Sequence, residues 1–352
     1  MFKSLTIFMS RTICISHKED VDGISSAALI KAAFKVNTVI LVDYANMIKV
    51  LESVQNDIQN SQSPVEHIFL CDLGLSKKNE TLFLQIIRSI LSLNCRVTYI
   101  DHHDLGMETK SELKKMGVKL IHSINECTSV QIYHKYQKRL VPKAAFIAAA
   151  GAITDYMETK PIASSIVSKF DRQFLMLEAS ALSYMISSAQ HEIEFLVTLI
   201  DRLSNMKYPH EIEGGFIRAE RYAQKVTSAV ESLKDSISIG NNIAYVESNA
   251  DLSSSMVVNF ILGLSGKPVA LVYKFKMDIN SYIISIRGSK DCKLHLGRAV
   301  NGLSSKLGGS GGGHEKACGA VIHKQMLEVF IHELDAAITQ GKNVKYTIPS
   351  KQ

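Results

Sequence analysis

Between residues 12 and 155, short runs rich in β-branched residues alternate with longer segments of helical period. The predicted strands are "TICIS", "TVILVDY", "HIFLCDL", "RVTYID" and "VKLIHS". The predicted helices cover Ser25–Lys35, Asn46–Gln59, Lys77–Leu93, Ser111–Met116 and Ser129–Tyr136. This alternation indicates βαβ units, and therefore an α/β fold with a mostly parallel sheet and helices on both faces. Such sheets bind ligands outside the carboxyl ends of their strands.

The rest of the chain has two further parts. From about 161 to 240 the pattern is helical, and its last helix, about Glu213 to Asp235, carries both charge signs, as a segment bridging two domains would. Beyond Gly240 strand-like runs return in "NIAYVES", "PVALVYKFKM" and "SYIISIRGS", with a helix predicted over Ser254–Leu264. We therefore expect an α/β domain over 1–160, a helical connector over 161–240 and a smaller α/β domain over 241–345.

Composition narrows the class of protein. The net charge of +6 favours an anionic partner. The six cysteines include no C-x-x-C pair, and Cys14, Cys71 and Cys95 lie in apolar runs, which indicates buried thiols rather than disulfides or a zinc site. The apolar stretch at 5–9 is too short for a signal peptide, and Arg11 follows it. No window reaches 18 apolar residues, so we predict no membrane partner and expect a cytoplasmic location.

Carboxylates and imidazoles follow several of the predicted strands. The set comprises His17, Asp20, Asp22, Asp72, Asp101, His102, His103 and Asp155. Each has an ordinary structural alternative: Asp20 suits a helix N-cap, Asp72 a turn and Asp155 a solvated helix end. Together, however, they place five carboxylates and three imidazoles at one edge of the predicted sheet.

Carboxylates gathered in this way repel one another unless a cation neutralises them. Oxygen and imidazole ligands without thiolate suit Mn²⁺, with Mg²⁺, Co²⁺ and Zn²⁺ as competitors. Two such ions about 3.5–4 Å apart would activate a water molecule and hold the oxygens of a phosphoryl group. The strand-end residues therefore predict a dinuclear metal centre.

The motifs "SHKEDVDG", "CDLG", "DHH", "AITD" and "GGGH" occur in this order along the chain. They resemble those of the DHH–DHHA1 phosphoesterase superfamily. That superfamily includes RecJ-type nucleases, phosphodiesterases of short oligonucleotides and cyclic dinucleotides and, with a different C-terminal domain, family II inorganic pyrophosphatases. The DHH part of the resemblance covers about 10–160, and the DHHA1 part covers about 240–340.

The resemblance implies roles for the strand-end residues. One metal ion would be held by His17, Asp20 and Asp72, and the other by Asp22, Asp72, His102 and Asp155. Asp101 would orient the histidines, and His103 would contact the substrate phosphate. The sequence departs from the RecJ-type pattern at one place, because two residues, Lys18 and Glu19, separate the first His from the first Asp. Glu19 is therefore an alternative ligand.

A glycine cluster marks the second domain, with five glycines in six residues around Ser310. Glycine lets backbone N–H groups approach an anion closely, although Gly/Ser runs are also typical of flexible linkers. By resemblance, Gly311, Gly312, Gly313 and His314 would bind the phosphate or terminal nucleotide of the substrate. Arg287, in the strand before the cluster, would grip the substrate backbone, and Ser289 would add a hydroxyl; the alternative is a surface arginine.

The resemblance implies hydrolysis of phosphodiester bonds in single-stranded nucleic acid or a short oligonucleotide, from one end. A second hypothesis is a phosphatase or phosphodiesterase for 3′-phosphoadenosine phosphate or a cyclic dinucleotide. A third is a degenerate scaffold of replication or repair, against which the intact ligand set argues. A chain of 352 residues has no room for the additional oligonucleotide-binding domain of large bacterial RecJ enzymes, which favours a compact nuclease or a short substrate.

Overall fold

The computed structural model describes residues 11–61, 63–249 and 251–340, with the side chain of residue 340 left out. The stretch at 5–9 and the end of the predicted second domain, 341–345, lie outside these ranges. The chain divides between Tyr222 and Ala223 into two compact units, each with its own sheet.

The first unit is built on five strands, which are β1 (Arg11–His17), β2 (Thr38–Val42), β3 (Val65–Cys71), β4 (Arg96–Asp101) and β5 (Lys119–His122). Their order is β2-β1-β3-β4-β5, and every pairing is parallel. The predicted parallel α/β fold is therefore confirmed. Because the chain passes from β1 to β2 on one side and then to β3 on the other, the carboxyl ends of β1 and β3 flank a topological switch point.

Helices connect these strands and continue beyond them. They are α1 (Val21–Phe34), α2 (Met47–Asn60), α3 (Glu80–Ser92), α4 (Met107–Lys115), α5 (Thr128–Tyr136), α6 (Ala145–Thr154), α7 (Pro161–Val167), α8 (Arg172–Ser188), α9 (Ile193–Ser204) and α10 (Gly215–Leu233). Helix α1 begins four residues before the predicted start, because the Asp20 carboxylate accepts the N–H of Gly23 at 2.9 Å and caps the helix there.

A separate apolar core covers each face of the sheet. On one face Ile24, Leu29 and Phe146 bring α1 and α6 into a cluster that extends to α8 and α9. On the other face Leu51 and Phe83 join α2 and α3 to the strands. Each such side chain contributes about 1.5–3 kcal/mol when fully buried. Apolar packing therefore covers both faces of the sheet, so a site can form only at the ends of the strands. All six cysteines are free and buried, as predicted for Cys14, Cys71 and Cys95.

The second unit has a mixed sheet of β6 (Ser238–Ile239), β7 (Ile243–Glu247), β8 (Val269–Lys276), β9 (Ser281–Gly288), β10 (Ser310–Gly313) and β11 (Ala317–His323). The order is β10-β11-β9-β8-β7-β6, and only β7 and β8 pair in parallel. Helices α11 (Ser254–Ser265), α12 (Leu296–Lys306) and α13 (Leu327–Gln340) accompany it. The glycine cluster is not a linker, because Ser310–Gly313 pair with β11.

Two helical glycines provide a matched test of packing next to the strand ends. A Cβ at Gly151 in α6 would lie 2.3 Å from Ser129 Oγ, whereas at Gly263 in α11 nothing lies within 4 Å. Gly263→Ala should therefore raise the free energy of unfolding by about 0.5–1 kcal/mol, the usual preference for Ala in a helix. Gly151→Ala should instead lower it by about 1–3 kcal/mol, through overpacking. Denaturant unfolding measures both, and stabilisation by both would contradict the close contact.

Candidate metal centre

The carboxyl ends of three neighbouring strands deliver the central side chains. β1 ends at His17, β3 ends one residue before Asp72, and β4 ends at Asp101. The imidazole that follows β4 reaches two carboxylates, since His102 Nε2 lies 3.3 Å from Asp72 Oδ1 and 3.5 Å from Asp155 Oδ2. Asp155 ends α6 with its side chain only 12% exposed, so it is not a solvated helix end.

The structure brings most of the predicted residues into metal-sized groups. Donor atoms of Asp22, Asp72 and His102 all lie within 4.8 Å of one another, and so do those of Asp72, Asp101 and His103. Among the described residues, His17 and Asp20 belong to no such group of three, but they lie close to each other. His17 Nε2 lies 3.5 Å from Asp20 Oδ2 and 3.9 Å from Glu19 Oε2.

The amino-terminal end of α5 holds the most deeply buried ligand candidate. The N–H of Thr128 donates to Asp22 Oδ2 at 2.7 Å, and the N–H and hydroxyl of Ser129 donate to Asp22 Oδ1 at 2.9 and 2.5 Å. Thr128 Oγ1 also donates to Asp72 Oδ1 at 3.1 Å. A helix N-terminus favours an anion by its N–H groups and its dipole. Sequence reasoning missed both residues as partners of Asp22, because Thr and Ser near a helix start indicate the start of the helix but not what it binds.

The "DHH" stretch forms an ordered chain of hydrogen bonds. Asp101 accepts the backbone N–H of His103 at 3.0 Å and pairs with its Nδ1 at 2.9 Å. Nε2 of the same ring lies 3.1 Å from the Tyr44 hydroxyl, and the Tyr44 ring stacks on His17 at 4.1 Å. A carboxylate that accepts Nδ1–H fixes the orientation of the imidazole and leaves Nε2 for other chemistry. Tyr44, which follows β2, is a further residue that sequence reasoning missed.

The electrostatics of this group call for a cation. Burial raises the pKa of Asp72 and of Asp155 well above the ordinary range, and the charge of Asp22 raises both further. Burial lowers the pKa of His102, but the carboxylates of Asp155 and Asp22 outweigh it and raise that pKa above its ordinary value. A divalent ion relieves this repulsion, and oxygen and imidazole donors suit one. The residues present are therefore compatible with divalent metal binding.

Cys127 adds a donor that sequence reasoning did not consider. Its sulfur lies within 4.8 Å of carboxylate oxygens of Asp22 and Asp155. Burial raises the pKa of this thiol well above its usual value, and the charge of Asp22 adds to the shift. A buried neutral thiol therefore borders the oxygen and imidazole donors, and a soft metal ion would favour it more than Mn²⁺ does.

The predicted residues of the second unit lie together at one end of its sheet. Arg287 in β9 pairs in register with Ala317 of β11, whose neighbour Cys318 pairs with Gly313 of β10. The N–H of His314 donates to the Ala317 carbonyl at 2.7 Å. Gly311–Gly313 form an edge strand, with Asn301 Nδ2 donating to the Gly311 carbonyl at 2.8 Å. The Ser289 hydroxyl accepts the N–H of Asp291 at 3.2 Å.

Two family models match the chain. The DHH family N-terminal domain matches residues 11–168, and the DHHA1 domain matches residues 241–340. The chain belongs to the DHH–DHHA1 phosphoesterase superfamily. No curated protein sequence matches the chain. None of the helices in the described ranges is long and apolar enough to cross a membrane.

Solved structures of other proteins share the fold. The DHH domain of a protein assigned to a family of ribosomal proteins superposes with a TM-score of 0.65 at 13% identity, covering 94% of this chain and 86% of that one. RecJ from Thermus thermophilus, in complex with Mn²⁺, gives 0.60 at 13% identity, covering 94% of this chain and 52% of that one. The pGpG-specific phosphodiesterase PggH from Vibrio cholerae gives 0.55 at 12% identity and is covered completely.

The stabilisation that a metal confers should grow with pH. The folded pKa of Asp72 and Asp155 lies above the ordinary 3.8, and that of His102 and His103 lies above 6.5. The folded metal-free protein therefore binds more protons than the unfolded chain, so these groups lower its stability as pH rises from about 4 past 7. A bound metal replaces those protons. Denaturant unfolding with EDTA or with Mn²⁺ measures the free energy of unfolding of the two forms. The difference between them should increase as pH rises over this range.

Comparing the stability of metal-free and metal-loaded protein isolates the contribution of the metal centre from that of other titrating groups. Burial lowers the pKa of His67 and of His122, so both act in the opposite sense, but they titrate in both samples. Burial would raise the pKa of Asp101, but the His103 charge outweighs it, so Asp101 titrates below the window. A metal effect on stability that is constant from about pH 5 to 8 would contradict the assignment.

Proposed function

We propose that the chain is a divalent-metal-dependent phosphodiesterase that hydrolyses short or single-stranded oligonucleotides. The observation that carries this proposal is the buried group of Asp22, Asp72 and His102, whose donor atoms lie within 4.8 Å of one another. Carboxylates in such a position repel one another without a cation. A dinuclear centre with phosphoryl-transfer chemistry explains why they are together, and superfamily membership supports the same reaction class.

The proposed occupants are two divalent ions, with Mn²⁺ as the first choice. His17, Asp20 and Asp72 would hold one ion, with Glu19 as the alternative to Asp20. Asp22, Asp72, His102 and Asp155 would hold the other, so Asp72 would contribute to both. When bound, such ions supply a hydroxide nucleophile at neutral pH and neutralise charge on the phosphoryl oxygens. The α5 donors on Asp22 fix the orientation of that carboxylate toward the centre.

His103 is the proposed general acid. Its Nδ1–H is fixed by Asp101 at 2.9 Å, so Nε2 is the atom that faces a partner. Burial would lower the pKa of this imidazole, but the Asp101 carboxylate outweighs it and raises the pKa, which favours the protonated ring. In the enzyme–substrate complex a leaving-group oxygen would replace the Tyr44 hydroxyl at Nε2 and receive its proton.

The second unit is the proposed substrate-binding part. Arg287 presents a guanidinium, which meets phosphate oxygens bidentately, at the same sheet end as Gly311–Gly313 and His314. An edge strand of glycines exposes backbone N–H groups without side chains above them, which suits close approach of a phosphate or an extended strand. Ser289 already accepts a backbone N–H, so its hydroxyl is the weakest member of the set.

A dinucleotide is the second candidate substrate. The match to the pGpG-specific phosphodiesterase covers that protein completely and 95% of this chain, whereas RecJ is matched over 52% of its length. The two-unit architecture of this chain is therefore one on which an enzyme for a two-nucleotide substrate is built. Small phosphate monoesters such as 3′-phosphoadenosine phosphate are further candidate substrates and are tested together with dinucleotides.

The substrate class follows from digestion of a matched panel with Mn²⁺. End-labelled DNA and RNA, from dinucleotides to long oligomers, together with pGpG and 3′-phosphoadenosine phosphate, should show hydrolysis of the short oligomers. Asp72→Asn should abolish it together with metal binding, because the carboxylate proposed to hold both ions is lost. Asp57→Asn, an exposed aspartate on α2, is the charge-matched control and should retain both. No hydrolysis of any panel member by metal-loaded protein would support a non-catalytic scaffold instead.

A second experiment separates chemistry from metal binding. His103→Ala should keep metal stoichiometry and reduce the single-turnover rate by about 10²–10⁴-fold, the usual contribution of a positioned acid. His102→Ala should instead lose metal, and His134→Ala, an exposed histidine in α5, should change neither. If His103→Ala lost metal while His102→Ala kept it, the two roles would be exchanged.

A further inference from the structure

A second cleft lies at the opposite, amino-terminal edge of the first unit's sheet. Its volume is about 590 Å³, within the range of small-ligand pockets. The first residues of β4 and β5, Arg96 and Lys119, line it together with His67 near the start of β3. Phe34 at the end of α1 and Tyr136 at the end of α5 form its wall. Arg139, which follows α5 in the sequence, also lines the cleft. None of its lining residues is an aspartate or a glutamate.

Three cations therefore line this cleft, and one of them, Arg96, has a carboxylate partner. Arg96 pairs with Glu66, which is outside the lining. Within the described ranges, neither Lys119 nor Arg139 forms an ion pair with a carboxylate. Like charges held in a recess raise the local positive potential and concentrate anions there.

Aromatic rings hold Lys119 and Arg139 in place. The Lys119 ammonium lies 5.0 Å from the centre of the Tyr136 ring, and the Arg139 guanidinium lies 4.7 Å from the centre of the Phe34 ring. The rings also contact each other edge to face at 4.9 Å. Such contacts restrict long side chains that would otherwise lose rotamer freedom on binding a ligand. The two cations are thus placed against aromatic rings at the cleft.

His67 reports on the charge of the cleft. Its Nε2 lies 2.8 Å from Thr98 Oγ1, and burial, with the charges of Arg96 and Lys119, lowers its pKa to about 4. The ring is therefore neutral near neutral pH and adds no charge to the three cations. An anion bound beside it would weaken the repulsion of protons and raise that pKa.

We propose that this cleft is a phosphate-monoester-binding site, separate from the metal centre and independent of the function proposed above. A monoester dianion matches several cations, and arginine meets its oxygens with a planar fork. The six residues of β4 separate the two edges by about 20 Å at about 3.3 Å per residue, so one phosphate cannot bridge them. A free nucleotide and the terminal phosphate of an oligonucleotide both carry the group.

The His67 ring provides a local readout in the intact protein, loaded with diamagnetic Mg²⁺ so that no paramagnetic ion broadens its resonance. Its resonance, identified by its loss in His67→Gln, should shift on titration with inorganic phosphate or a nucleoside 5′-monophosphate, and its pKa should rise. Lys119→Ala and Arg139→Ala should each weaken the apparent affinity by about tenfold or more, the range for a charged hydrogen bond. Arg202→Ala, an exposed arginine on α9, is the charge-matched control and should leave the affinity unchanged.

The arms of the titration distinguish the sources of phosphate. A shift with an oligonucleotide that carries a 5′-phosphate, but not with its unphosphorylated twin, assigns the cleft to strand ends. A shift with the mononucleotide alone assigns it to a free nucleotide. Asp72→Asn should preserve either response, since the metal centre is not involved. Absence of any shift, or equal affinities in wild type, Lys119→Ala and Arg139→Ala, would overturn the proposal.

Discussion

Burial of several carboxylates at one edge of a parallel sheet is the constraint around which the first unit is organised. Asp22, Asp72 and Asp101 are each at most 1% exposed, and an uncompensated buried charge costs several kcal/mol. Directed donors offset this cost unequally. Asp22 receives three from α5, and Asp101 receives two from His103, whereas Asp72 receives one hydroxyl and faces the His102 imidazole. Of these three carboxylates, Asp72 is therefore the one whose ionisation depends most on a cation.

The glycines in the motifs follow from the same crowding. A Cβ at Gly23 would lie 2.4 Å from the His17 carbonyl oxygen, and one at Gly74 would lie 2.8 Å from Cγ of His103. Asp72 itself takes a left-handed backbone with φ of 57°, which turns the chain sharply after β3. The glycines beside the aspartates thus serve close approach, so that ligands from different segments reach a common volume, rather than flexibility.

The residues at strand ends were predictable from sequence because two simple rules combine. Apolar periodicity locates β1, β3 and β4, and parallel pairing brings their carboxyl ends together. Thr128 and Ser129 were not predictable, because their partner Asp22 lies 106 and 107 residues away and Ser and Thr are common everywhere. β10 was not predicted as a strand, because its glycines have low strand propensity and only pairing with β11 orders them. The position of the Tyr44 side chain was not predictable either, because it depends on the packing of β2 beside β1.

The two edges of the first sheet also show why net charge is a poor guide to where an anion binds. The chain carries +6 overall, yet its carboxyl edge concentrates Asp22, Asp72 and Asp155, while Arg96 and Lys119 stand at the amino edge. An anion approaching the first edge would be repelled unless a bound cation reversed the local charge. At the second edge the side chains themselves attract it. In a parallel sheet all strands begin at one edge and end at the other. The residues at the beginning and at the end of each strand therefore determine the charge of the two edges.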